Sequence, residues 1–82
     1  MIIYQAIETR YLGPTNYRGS RVVATTPFAG LRHVHQWDCS LDIDGNHHAA
    51  AEALRAKLDW PTIVAGGTTK SGYVWVTSTL DA

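Results

Sequence analysis

One segment carries helical spacing, and it limits what the rest of the chain can do. From about Asn46 to Leu58 the residues Ala50, Ala51, Leu54 and Leu58 fall on one narrow stripe, with His47 a turn before it. Four alanines, at 49, 50, 51 and 53, favour the helix strongly and keep its apolar face thin. Small side chains on that stripe let the helix lie close to a sheet. Glu52, Arg55 and Lys57 point the other way, to water. Asp44 or Asn46 can supply the N-cap oxygen, and Trp60-Pro61 closes the helix, because the residue before proline avoids the α region.

The remaining segments read as strands. Ile2 to Thr9 is β-branched and aromatic, with Ile2, Tyr4 and Ala6 on one face and Ile3, Gln5, Ile7 and Thr9 on the other. Gly19 to Thr26 places Val22 and Ala24 opposite Arg21, Val23 and Thr25, and Pro27-Phe28-Ala29-Gly30 turns the chain. Leu31 to Trp37 is a weaker strand, with Leu31, His33, His35 and Trp37 opposite Arg32, Val34 and Gln36. Short connections make these three a meander. Asp38 to Gly45 is a polar linker. Beyond the helix, Thr62 to Ala65 and Tyr73 to Thr77 form a hairpin around Gly66 to Gly72. The expected fold is therefore α+β: one domain over residues 1–82, ordered βββαββ, with an antiparallel sheet of about five strands and one helix on a single face. Its core should draw on Ile3 or Tyr4, Ile7, Val22, Ala24, Ala50, Leu54, Leu58, Ile63, and Val74 or Trp75.

Charge and cysteine narrow the function classes. Seven Lys and Arg balance seven Asp and Glu, so no global field draws in nucleic acid or an anionic membrane. Cys39 stands alone, which precludes a disulfide within the chain and points to a reducing compartment. No leader pattern and no transmembrane length of apolar residues is present, and the cytoplasm is the expected location. A domain this small also gains from pairing with a second copy, so a homodimer is an expectation.

The densest local chemistry lies in Tyr11-Leu12-Gly13-Pro14-Thr15-Asn16-Tyr17-Arg18-Gly19-Ser20-Arg21. Gly13-Pro14 breaks the strand, Gly13 and Gly19 are expected to set backbone angles, and Asn16 can brace the turn. Tyr17 and Arg18 are expected at an exposed tip. Arg10, Tyr11, Asn16, Tyr17, Arg18 and Arg21 combine guanidinium forks with aromatic faces, and Lys70 in the last hairpin can reach the same end of the sheet. Such a group suits phosphate, a nucleotide or a nucleic acid. No helix start follows the glycine, so this is not a nucleotide P-loop. The plainer alternative pairs these arginines with carboxylates in a structured loop.

Other constellations are weaker. His33 and His35 stand about 7 Å apart on one strand face. With His47, His48 and Cys39 they offer nitrogen and sulfur ligands, yet no cysteine or carboxylate repeats at zinc spacing, so no metal is assigned. They read instead as polar residues of an exposed face. Cys39 lies among Asp38, Asp42 and Asp44, and negative neighbours make a thiol a poorer nucleophile. No catalytic residue and no cofactor are assigned. Trp37, Trp60, Trp75, Tyr4 and Tyr73 read as packing residues, any exposed one marking a protein-binding patch.

The residues Tyr11 to Asn16, Arg18-Gly-Ser-Arg21 and Ala24 resemble the opening pattern of a group of small proteins carried by phages and other mobile elements. His48 with Ala49-Ala50 and Leu54, then Lys57, Trp60, Gly66-Gly67 and Gly72-Tyr-Val-Trp-Val76 extend the likeness over most of the chain. Pro27-Phe28 and the His33/His35 pair depart from it. The resemblance implies a non-enzymatic accessory protein that disables a host defence complex, in the manner of an anti-CRISPR, by occupying a surface of a protein or ribonucleoprotein. It transfers no residue roles. A binder of nucleic acid or a phosphorylated small molecule through residues 10–21 is the alternative.

Overall fold

The computed structural model describes residues 5–26 and 30–78. In chain order they form β1 (Ala6–Leu12), β2 (Arg21–Thr25), β3 (Arg32–Gln36), α1 (Ile43–Leu58), β4 (Ile63–Thr68) and β5 (Gly72–Thr77). This is the α+β, βββαββ arrangement expected. Every strand pair is antiparallel, and the sheet runs β3-β2-β1-β5-β4. The meander β1–β2–β3 fills one half, and the β4–β5 hairpin joins the other edge of β1 after the chain has crossed the sheet as α1. The expected contributions of Ile2 to Tyr4 and of Pro27 to Ala29 lie outside the described residues.

Three boundaries differ from expectation. The connection expected over Gly66 to Gly72 is only residues 69–71, because Gly66, Gly67 and Thr68 continue β4 and pair with Trp75, Val74 and Tyr73. Strand β1 continues to Leu12, so Tyr11 and Leu12 pair with Val22 and Arg21 and belong to the sheet, not to the loop. The helix begins at Ile43, three residues before Asn46, because the cap is Asp42 and not Asp44 or Asn46. The Asp42 carboxylate accepts the Gly45 N–H at 2.6 Å, filling one of the donors a helix start leaves open. Asp44 instead sits in the first turn, where a negative charge suits the helix dipole. Asn46 is fully buried: its Oδ1 accepts the Asp38 N–H at 2.8 Å, and its amide donates to the carbonyls of Asp38 and Asp42, both at 3.0 Å. The segment read as a linker is thus a hydrogen-bonded turn fastened to the helix. The helix ends at Asp59 in the left-handed region, φ 58°.

The helix lies over β3, β2 and β1. Ile7, Val22, Ala24, Ala50, Ala51 and Leu54 form the buried core, flanked by Trp37, Leu58, Trp60, Ile63 and Trp75. Burying each large apolar side chain contributes about 1.5–3 kcal/mol. His33 and His35 pair with Ala24 and Val22, so they face the helix and are half-buried, contrary to the exposed face expected for them. Trp75 lies flat over Gly66, where a Cβ would come within 2.5 Å of the indole. On the opposite side the sheet carries no helix among the described residues.

Candidate anion-binding face

The cross-strand register assigns each side chain of the uncovered face. Gln36, Arg21 and Leu12 form one row, Val34, Val23 and Arg10 the next, and Arg32, Thr25, Glu8 and Val74 a third. Arg10, Arg21 and Arg32 therefore share one face of three adjacent strands. Arg21 and Arg10 are diagonal neighbours, a step of about 7–8 Å. The β4–β5 turn folds Lys70 towards them. Arg10 and Lys70 line one cavity of about 300 Å³ with Glu8, Thr25, Thr69 and Ser71, and Val23 belongs to its wall. Thr69 is held in the turn, its hydroxyl accepting the Gly72 N–H at 3.0 Å.

Five of the chain's seven Lys and Arg residues thus belong to this face and the adjoining loop: Arg10, Arg18, Arg21, Arg32 and Lys70. The ion pairs among the described residues, Arg55–Glu52 at 2.6 Å and His48–Glu52 at 3.9 Å, both lie on the helix. None of the five joins an ion pair, so the reading that pairs the loop arginines with carboxylates does not hold among the described residues. Arg21 donates to the Gly19 carbonyl at 3.2 Å instead. Among the described residues Glu8 is the one acid of the face, whereas Asp38, Asp42, Asp44, Glu52 and Asp59 sit in or beside the helix. A chain neutral overall is divided into a basic sheet face and an acidic helix layer.

The residues singled out from the sequence separate into three places. Arg10, Arg21 and Lys70 come together on the uncovered face. Asn16, Tyr17 and Arg18 are exposed at the tip of the loop, Tyr17 at 95%. The brace there is Thr15 rather than Asn16: its hydroxyl accepts the N–H groups of Tyr17 and Arg18 at 3.2 and 3.0 Å. Gly13 and Gly19 have no positive φ; among the described glycines only Gly30 does, so neither sets the unusual angle expected. Tyr11 turns to the other face, edge-on to Trp37 with centroids 5.5 Å apart, its hydroxyl donating to Ser20 Oγ. Arg32 and Thr25 were missed. Period-two alternation groups Arg21 with Thr25 and Arg32 with Gln36, but only the register joins those faces and shows that the helix lies behind them.

The helix side holds the histidine chemistry. The Trp75 indole N–H donates to Thr9 Oγ1 at 3.1 Å, and the Thr9 hydroxyl lies 2.8 Å from His47 Nδ1. The Thr9 hydroxyl thus bridges the indole and the imidazole, as its one donor and two acceptor positions allow. Burial pushes the His47 pKa down, and Asp44 partly opposes this. The Tyr73 hydroxyl donates to Asp44, and that bond raises the phenol's pKa. Thr9 is 2% exposed and bonded to both rings, so this cluster fastens helix to sheet. His33 is also pushed down, by burial and then by Lys57 and His35. Cys39 is exposed, and among the described residues no three His, Cys, Asp or Glu side chains converge as metal ligands. No described helix is long and apolar enough to cross a membrane.

Fold and face together define a small α+β domain with one helix-covered and one basic sheet surface. No protein-family model, curated protein or solved structure matches the chain.

Proposed function

We propose that this chain is a non-enzymatic binding protein whose working surface is the uncovered sheet face, and that its ligand is anionic and phosphate-bearing. The observation that carries this is a set of cations, Arg10, Arg21, Arg32 and Lys70, that join no ion pair among the described residues and lie beside the cavity hydroxyls of Thr25 and Ser71. Unpaired guanidinium groups next to hydroxyl donors suit phosphate oxygens, which take charge-assisted hydrogen bonds from both. Amide chemical-shift mapping with inorganic pyrophosphate tests it. Shifts should centre on Arg10, Thr25, Lys70 and Ser71, and the double variant Arg10→Ala/Lys70→Ala should lose them with an unchanged melt. Shifts confined to the helix would sink the reading.

A second surface supports the accessory role that the phage resemblance implies. Tyr11, Trp37, Ile43 and His47 line an apolar cavity of about 250 Å³ on the helix side. Ile43 is 60% exposed and Tyr11 46%, an aromatic and aliphatic pair of the kind that anchors protein contacts. A host defence complex would be blocked by covering its protein surface there. Ile43→Asp should then abolish inhibition in a phage-defence assay while pyrophosphate binding persists; unchanged inhibition would remove this surface from the argument.

A further inference from the structure

Resting on the anion-binding reading, the ligand class can be narrowed. We propose that the uncovered face holds double-stranded nucleic acid by its phosphodiester backbone, without reading bases. The cations extend beyond one cavity: Arg18 stands at the loop tip, Arg21 and Arg10 follow on a diagonal of β2 and β1, and Lys70 closes the row at the β4–β5 turn. A free nucleotide would fill the Arg10–Lys70 cavity and leave Arg18, Arg21 and Arg32 without a partner. Along a duplex each strand offers a phosphate about every 3.4 Å of axis, so cations about 7–8 Å apart can each reach a phosphate of one continuous chain.

Among the described residues, the same face carries no aromatic ring of the kind a single strand needs. Proteins that hold single strands stack bases on aromatic rings. Here Tyr11, Trp37, Tyr73 and Trp75 all share the helix side, as their register with Val22, Ile7 and Thr9 and the Tyr11–Trp37 contact require. Between the cations of the uncovered face lie the half-buried Val34, Val74 and Val76 and the buried Val23. Among the described residues Tyr17 is the exposed aromatic nearest the row, and it stands on the loop beyond the sheet. Gln36 is the one side-chain amide of the face suited to base edges. Phosphate contacts without base contacts position a protein on a duplex and carry no sequence information.

Fluorescence polarisation on the full chain tests this, with a labelled 16-base-pair duplex of mixed sequence, each of its single strands, and a second unrelated duplex. The duplexes should bind alike and more tightly than either strand. Four phosphate contacts predict a log–log salt slope of about −3.6, and Arg10→Ala/Lys70→Ala should reduce its size by about 2. Tyr17→Ala should bind as the parent does. Tighter binding of a single strand, or loss in Tyr17→Ala, would show stacking and overturn the inference. So would equal binding of ATP, which marks a nucleotide pocket, or of a polyglutamate peptide, which marks an acidic protein partner. Those outcomes leave the anion-binding face standing. Failure of duplex, strands, ATP, pyrophosphate and polyglutamate alike would overturn both readings.

Discussion

His47 joins three elements through Thr9 and Trp75, and its ionisation state is part of the fold. Its folded pKa lies below the ordinary histidine value of 6.5, so the neutral form is the one the structure holds. Above that value both folded and unfolded chains are neutral here, and the stability is complete. Below it the unfolded chain takes up a proton that the folded chain resists, so stability falls as pH drops towards the folded pKa. His33 acts in the same direction. Melting temperature should therefore decline from pH 7.5 to 5.5, and the double variant His33→Asn/His47→Asn should flatten that decline. Losing the imidazole also leaves the buried Thr9 hydroxyl without its ring partner, at a cost of about 1–3 kcal/mol at pH 7.5. A pH-independent melt in the parent would contradict the assignment. Glycines separate as sharply. A Cβ on Gly72 would be driven into the carbonyl oxygen of Thr9 on the neighbouring strand, whereas one on Gly19 meets nothing within 4 Å. Gly72→Ala should unfold the chain or lower its melt steeply, and Gly19→Ala should stay within about 0.5 kcal/mol of the parent.

Among the elements, α1 shows what sequence spacing can and cannot convey. The stripe Ala50, Ala51, Leu54 and Leu58 was legible and does face the sheet, because apolar periodicity reports burial directly. The helix start was not, because Gly45 and two aspartates resemble a turn until the buried amide of Asn46 is seen fastening residues 38–42 to the first helical turn. Asp42→Ala should cost about 0.5–2 kcal/mol by chemical denaturation, the usual effect of losing a cap. Asp44→Ala should differ in kind, loosening Tyr73 and lowering its phenol titration towards the ordinary range. Equal losses in the two variants would return the cap to Asp44. Strand positions were legible to within a few residues, and so was the grouping of side chains within each strand. The joining of those groups across strands was not, since register depends on turn geometry and on which face meets the helix. That is why Arg10, Arg21 and Lys70 were singled out while Arg32 was not, and why Tyr11 was placed among them although it faces the other way.

At the scale of the molecule, net charge conceals more than it tells. Seven cations and seven acids cancel in the sum, yet the sheet face keeps its cations while the helix layer keeps most of the acids. Cations gathered without partners repel one another in the folded chain and spread apart in the unfolded one. Their repulsion is a standing cost that a polyanion relieves, and the relief appears as stability. A ligand that binds only the folded state at one hundred times its Kd stabilises by about 2.7 kcal/mol. For a domain of this size that amounts to a rise in melting temperature of roughly 10–20 °C. Long-chain inorganic polyphosphate, which has charge but no bases, is the direct probe. It should raise the melt of the parent chain in low salt, lose that effect by 0.5 M sodium chloride, and raise the melt of Arg10→Ala/Lys70→Ala much less. Sodium chloride alone should raise the parent's melt slightly, by screening the same repulsion. If polyphosphate protects the double variant as well as the parent, the protection arises elsewhere, and the division of charge between the layers has no part in binding.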